Sequence, residues 1–186
     1  MPARWIIVPF EQIESYMPKR GLIIDIGCGE GVMSTLLVLS SPWRKVIGID
    51  INKAKINLGK KIAREIPNLS FKHQDVFSQI LPKADGFILS DFLHHIPSNK
   101  HKKLLKLLAN SLNKNGVIMI KEIDLKDGLR SKVSRLFDFL FYPFEKVSFI
   151  SSEELASFLT QLGLKVRIIK VKKWFPGSTT LFICQK

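Results

Sequence analysis

Cysteine is nearly absent from this chain, with one residue at Cys28 inside a glycine-rich run and one at Cys184. Two thiols cannot assemble a disulfide framework or a four-ligand zinc site, so reduced thiols, no metal and a cytoplasmic setting are the expectation. Long hydrophobic runs are missing too. No stretch reaches the roughly 18 uninterrupted apolar residues that a membrane-spanning helix needs. The run Trp5-Ile-Ile-Val8 is cut by Pro9, too soon for a secretory core, and the protein is expected to be soluble or at most peripheral. Acid is scarce: 16 Asp and Glu stand against 29 Lys and Arg, giving a formal charge of +13 and a pI near 9.9. An excess of that size attracts nucleic acid, an anionic membrane face or an acidic small molecule, and its sign does not choose among them. Many of the bases fall on helical patterns, Lys53, Lys55, Lys60, Lys61 and Arg64, then Lys100, Lys102, Lys103 and Lys106, where an ordinary solvated face is an equal reading. Internal repeats, low-complexity stretches and linkers are also lacking.

What is present fits one globular unit. The 186 residues are 46% hydrophobic and 24% charged, enough for a sizeable core and too little chain for two large ones. Residues 1–186 are therefore read as a single domain, with 1–20 as an N-terminal helical segment and 128–150 as an aromatic-rich, lid-like insertion. Short β-branched runs at Leu22-Ile-Ile, Val46-Ile-Gly-Ile, Phe87-Ile-Leu and Val117-Ile-Met-Ile read as buried strands, and Leu69 to His73 as a further short one. Helical spacing fills Val32 to Ser41, Lys53 to Glu65 and Ser98 to Leu112, the last bounded by Pro97 and Asn113-Lys-Asn-Gly116. This alternation predicts a doubly wound α/β sheet that binds ligands at the carboxyl ends of its strands. Beyond Glu122 the pattern changes. Phe137, Phe139, Phe141, Tyr142, Phe144 and Phe149 crowd together, a helix from Ser152 to Leu162 follows with Ser151 or Ser152 as its cap, and two strands, Leu164 to Val171 and Thr179 to Cys184, come last.

The chemistry begins at Asp25-Ile-Gly27-Cys28-Gly29-Glu-Gly31, which follows a strand and opens a helix. Such a backbone turns tightly and approaches a ligand where side chains would collide. A dinucleotide loop is spaced Gly-x-Gly-x-x-Gly, but here the position after Gly31 is Val32. The observed spacing, with an acid two residues ahead of it, suits a cofactor without phosphates, since Asp25 tolerates an ammonium or sulfonium and repels a pyrophosphate. Asp50 ends the second strand, where an ionised carboxylate can accept both hydroxyls of a ribose. Asp75, after the next strand, can accept from an adenine amino group. Cys28 has no adjacent base and reads as a small filler.

In these motifs, and in Gln74-Asp75-Val76, Asp85-Gly-Phe-Ile-Leu-Ser90, Leu93-His94-His95-Ile96 and Asn115-Gly116-Val-Ile, the chain resembles the class I S-adenosylmethionine (SAM)-dependent methyltransferases over nearly its whole length. The resemblance implies a Rossmann-like sheet of seven strands, mostly parallel, with the last antiparallel. It implies SAM as cofactor, with Asp25, Gly27, Gly29 and Gly31 along the methionine part, Asp50 at the ribose, Asp75 and Val76 at the adenine, and Cys28, Ile51 and Ser90 also in the cofactor site.

The acceptor is read from Ser90-Asp91-Phe92-Leu93-His94-His95. Methyl transfer is an in-line displacement that gains from alignment and, for a hydroxyl acceptor, from removal of its proton. His95, His94 and Asp91 are the catalytic candidates, with His95 preferred as base because imidazole titrates near neutral pH. An Asn/Asp-Pro-Pro-aromatic motif and a Pro-Cys pair are lacking, which speaks against exocyclic-amine DNA and pyrimidine-C5 methylation. The Lys-Asp-Lys-Glu set of ribose methylation is half matched by Asp91 and Lys121. The form of the sequence looks most like the small-molecule and lipid branch, so a small or amphiphilic acceptor is expected, with contact to a membrane surface as a further partner. An RNA acceptor is the alternative, and a non-catalytic SAM-binding module a third reading. Residues 133–150 read either as a lid over an apolar acceptor pocket or as the core of a capping helix pair.

Overall fold

The computed structural model describes residues 8–78, 80–124, 126–141, 147–171 and 178–186, with 137–141 as backbone only. Their chain order is α1 (Phe10–Tyr16), β1 (Gly21–Ile26), α2 (Val32–Leu39), β2 (Arg44–Asp50), α3 (Lys53–Ala63), β3 (Leu69–His73), β4 (Ala84–Ser90) and a 3-10 turn (Leu93–His95). Then come α4 (Ser98–Ser111), β5 (Leu112–Glu122), α5 (Gly128–Phe141), α6 (Ser152–Gln161), β6 (Lys165–Lys170) and β7 (Thr180–Gln185). The seven strands form one sheet in the order β3-β2-β1-β4-β5-β7-β6, in which β7 runs antiparallel to both neighbours and the pairs from β3 to β5 are parallel. This is the doubly wound α/β sheet expected from the sequence.

Side chains alternate across a strand, so each β-branched run serves two layers. Ile23, Val46, Ile88 and Met119 face one layer with Ile13, Met33, Leu37 and Ile56 of α1, α2 and α3. Ile24, Ile47, Phe87 and Ile118 face the other, with Leu104, Leu105 and Leu108 of α4 and Leu155 and Leu159 of α6. That two-sided burial is why these strands read as continuous apolar runs. The parallel register sets Ile26 beside Ile49 and Leu89, Asp50 beside His73, and Ser90 beside Lys121. The carboxyl ends of β1 to β5 therefore share one edge.

One local feature departs from expectation. The Asn113–Gly116 segment does not close α4 as a separate exit. It lies within β5 as an irregularity in the pairing with β4, where Asn115 takes a φ of 63° and the Asn113 amide donates to Asp85 (2.8 Å). The cap of α6 resolves to Ser151, whose hydroxyl accepts the Glu154 N–H at 3.1 Å. Among the expected aromatic group, the side chains of Phe137, Phe139, Phe141, Tyr142 and Phe144 lie outside the described residues, as does the Pro176-Gly177 connection. No described helix is long and apolar enough to cross a membrane.

The edge opposite the strand carboxyl ends is closed by Arg44, a fully buried arginine at the start of β2. Its guanidinium donates to the carbonyls of Pro18 (2.7 Å), Leu37 (2.9 Å) and Met17 (3.2 Å) and to the Glu14 carboxylate (2.6 Å). One side chain thereby satisfies the carbonyls that α1 and α2 leave at their ends. Burial alone would raise the Glu14 carboxyl, but the hydrogen bonds and charges of Lys19 and Arg44 outweigh it and hold the group below its ordinary range. Arg44→Met leaves three carbonyls without their donor and the Glu14 carboxylate with Lys19 alone, and is expected to cost about 3 kcal/mol in urea unfolding at pH 7. Because the Glu14 pKa is lower in the folded chain, its contribution is present above the ordinary glutamate range and is lost as pH falls through the lowered value. Glu14→Gln should therefore flatten the acid side of the stability profile, and an unchanged acid slope would refute the pairing.

Candidate active site

The loop between β1 and α2 is built on three left-handed glycines, Gly27 (φ 71°), Gly29 (58°) and Gly31 (86°). The N–H groups of Gly27 and Cys28 both donate to the Ile49 carbonyl (2.8 and 3.1 Å), which folds the loop back over the end of β2. Gly31 ends the loop in the left-handed region as the residue before α2, and a Cβ there would lie 2.1 Å from the Phe71 ring. At Gly48 a Cβ would meet the same ring at 2.5 Å and Cys28 Sγ at 2.8 Å. Phe71, buried on β3, thus fills a slot that only glycines leave open and supports the loop from beneath.

Asp50 stands at the centre of the edge. Its Oδ2 accepts the Gly29 N–H (2.8 Å), its Oδ1 accepts the Asn52 N–H (2.7 Å), and its main-chain carbonyl accepts the Gln74 N–H (3.0 Å). Each carboxylate oxygen keeps a second lone pair, so the group can still grip two hydroxyls. Asp25 is 2% exposed and accepts from the Ser34 hydroxyl at 2.6 Å, which sets a buried carboxylate beneath the loop. Asp75 accepts the Phe77 N–H through Oδ1 (2.9 Å), a tight turn that holds its carboxylate at the edge. Ile51, 68% exposed, offers an apolar face next to Asp50. Val76 by contrast is buried in the core cluster below the edge, so of the Asp75-Val76 pair only the acid presents its side chain. Burial, then the charges of Asp25 and Asp50, push the Cys28 thiol far above its ordinary range, in keeping with a filler and not a nucleophile.

The fourth strand brings the acceptor candidates to the same edge. Ser90 is half-buried beside Lys121. Asp91 follows with a left-handed φ of 52°; its N–H donates to the Lys121 carbonyl (3.0 Å) and its carboxylate is ion-paired with the buried Lys121 ammonium. Phe92 roofs the loop, its ring 2.1 Å from where a Cβ on Gly27 would lie. Glu122, at the end of β5, accepts the Leu93 N–H through Oε1 (2.8 Å) and His94 Nδ1 through Oε2 (2.6 Å). His94 is 1% exposed, stacks on Phe149 at 5.4 Å between ring centres, and its carbonyl accepts the Ser148 N–H (2.7 Å). His95, half-buried, has its ring 4.3 Å from that of His94. Residues 147–150, from the aromatic-rich insertion, therefore pack over the histidine turn.

All the sequence-predicted residues lie on the one edge or in the loop folded over it. Sequence reasoning missed Glu122, Phe71, Phe92 and the contact of Phe149 with His94. A signal for Glu122 existed, since a Lys-Glu pair directly after a fully buried strand calls for partners. None existed for Phe71, whose slot comes from three glycines distant in sequence.

A loop that excludes Cβ atoms, an oriented carboxylate with spare lone pairs and an apolar face beside it fit an adenosyl ligand without phosphates. The comparisons agree. A family model described as a methyltransferase domain matches residues 9–168. A tRNA (guanine-N(7)-)-methyltransferase of Prochlorococcus marinus is 31% identical over 73% of this chain and 73% of its own length. A trans-aconitate 2-methyltransferase of Deinococcus radiodurans is 28% identical over 61% of this chain, but the match spans only 43% of that enzyme. In structure, the chain is similar to a magnesium protoporphyrin IX methyltransferase from Synechocystis PCC 6803 with bound S-adenosylhomocysteine (SAH), with a TM-score of 0.75 at 20% identity, covering 95% of this chain and 81% of that one. The chain belongs to the SAM-dependent methyltransferases, and SAM is the cofactor of that family.

Gly48→Ala forces a methyl group against both Phe71 and Cys28, an overpacking strain of about 1–3 kcal/mol. The glycine loop should shift, and calorimetry should show SAH bound roughly tenfold or more weakly by the folded variant. Unchanged affinity would contradict the role given to the slot.

Proposed function

We propose that this protein transfers a methyl group from SAM to a small-molecule or lipid-like acceptor. The observation that carries the proposal is the Asp50 carboxylate, held on both oxygens by backbone N–H groups at the edge where the glycine loop and the histidine turn meet. In this reading Asp50 accepts the two ribose hydroxyls, Ile51 packs on the adenine, Asp75 accepts from the adenine amino group, and Asp25 with the glycines faces the methionine portion. When bound, SAM supplies an electrophilic methyl carbon on a sulfonium, which an acceptor lone pair attacks in line as the carbon–sulfur bond breaks. His95 takes the acceptor proton, since it is the accessible member of the pair and His94 is buried. Glu122 fixes His94, and through ring contact the His94–Glu122 pair positions His95. Asp91, paired with Lys121, orients the acceptor beside Ser90. Residues 147–150 exclude water over this turn. The aromatic composition of 128–150 supports an apolar acceptor, and the likeness to enzymes named for trans-aconitate and protoporphyrin supports a small molecule.

An RNA acceptor is the second reading, favoured by the charge of +13 and the 31% identity to a tRNA methyltransferase. Labelled methyl transfer from SAM into fractionated small-molecule, lipid and RNA extracts separates the two. Label in the small-molecule or lipid fraction is expected, and label confined to RNA would overturn the first reading. Asp50→Ala should weaken SAM binding roughly tenfold or more, because two hydroxyls lose one charged acceptor. His95→Asn should lower kcat by about a hundredfold with little change in SAM affinity. Equal activity of that variant would remove His95 as the base.

A further inference from the structure

The connection from β3 to β4 differs from the other parallel crossovers of the sheet. Helices α2, α3 and α4 carry the other three, but the described residues between His73 and Ala84 form no helix. Because β2 and β1 lie between β3 and β4, residues 74–83 must return along the sheet and pass two strands. That path is more than about 20 Å, and a helix of ten residues spans only about 15 Å. The segment therefore runs as irregular chain, with Val76 and Leu81 turned into the core, Phe77 half-buried and Ile80 93% exposed. Between it and α4 lies an open groove of about 380 Å³, lined by Phe77, Ser78, Ile80, Lys103 and Leu107. The rim of this apolar strip is cationic. The ammonium groups of Lys100 and Lys103 lie 5.2 and 5.8 Å from the centre of the Phe77 ring, and Lys83 donates to the Asn110 carbonyl at 2.7 Å. Spacings of three and four residues set Lys100, Lys103 and Leu107 on one side of α4. No acid occurs in α4 or in residues 76–84. The acids at the two ends of the connection are engaged, Asp75 by the Phe77 N–H and Asp85 by the Leu22 N–H and the Asn113 amide.

We propose that this groove docks an acidic amphipathic helix of a partner protein. Its aliphatic side chains pack on Phe77, Ile80 and Leu107, and its carboxylates face Lys83, Lys100 and Lys103. A second copy of a chain with charge +13 does not supply that complement. RNA fits the groove less well, because base stacking needs an open aromatic ring and two ammonium groups already engage Phe77. The docking does not depend on which acceptor is methylated.

The test is fluorescence anisotropy of the full chain with a labelled synthetic peptide of about four helical turns, leucine at i, i+3, i+4 and i+7 and glutamate elsewhere. A peptide of the same composition in scrambled order is the reference. The amphipathic peptide is expected to bind roughly tenfold or more tightly than the scrambled one. Ile80→Ser and Lys100→Glu/Lys103→Glu should each weaken its binding roughly tenfold. Lys60→Glu/Lys61→Glu, the same charge change on α3 across the sheet, should stay within about twofold of the parent chain. Calorimetric SAH binding, unchanged in all three variants, shows that each is folded and separates loss of docking from loss of the methyltransferase reading. No binding of the amphipathic peptide, or equal binding of the scrambled one, would overturn the proposal. Equal losses in the groove and control variants would do so too, as would binding of single-stranded RNA that depends on the groove residues in place of peptide binding.

Discussion

Asp50 ties together three stretches of chain at the end of the sheet. Gly29 brings it the loop after β1, Asn52 the entry to α3, and Gln74, through the Asp50 main-chain carbonyl, the turn after β3. These bonds leave the outer lone pairs of the carboxylate pointing where the three stretches converge. The glycine loop cannot sit at that point unless the space below it is filled without collision. Phe71 does this, wedged against positions where only Gly31 and Gly48 leave room. The ligand-facing geometry thus depends on one polar residue above the loop and one aromatic residue below it. Neither would hold its position without the parallel register that aligns the ends of β1, β2 and β3.

The fold was legible in the sequence because a parallel strand buried on both faces leaves an unbroken β-branched run, as in Leu22–Ile24, Val46–Ile49 and Val117–Ile120. Helix ends were legible to within two residues, with α2 and α3 each stopping two residues short of the periodic pattern. The gathering of the glycine loop and the strand-end acids at one edge was legible too, because the glycine spacing and those acids are local features. What escaped the sequence was long-range. Arg44 reads as one more surface base until the carbonyls of Pro18, Met17 and Leu37 converge on it. Glu122 reads as the end of a strand until the turn after β4 places His94 within 2.6 Å.

The two halves of the edge differ in how tightly they are fixed. Around the glycine loop, backbone donors hold Asp50 and Asp75 in place, while the Ser34 hydroxyl holds Asp25. At the histidine turn, side chains hold one another: Lys121 with Asp91, Glu122 with His94, Phe149 against the His94 ring.

A crystal structure of the chain with SAH tests the central claim most directly. The account predicts both ribose hydroxyls within hydrogen-bond distance of the Asp50 carboxylate, with the Gly29 and Asn52 contacts retained and Phe71 still seated beneath the loop. A ribose bound elsewhere on the edge, or an Asp50 side chain turned away from the ligand, would contradict it.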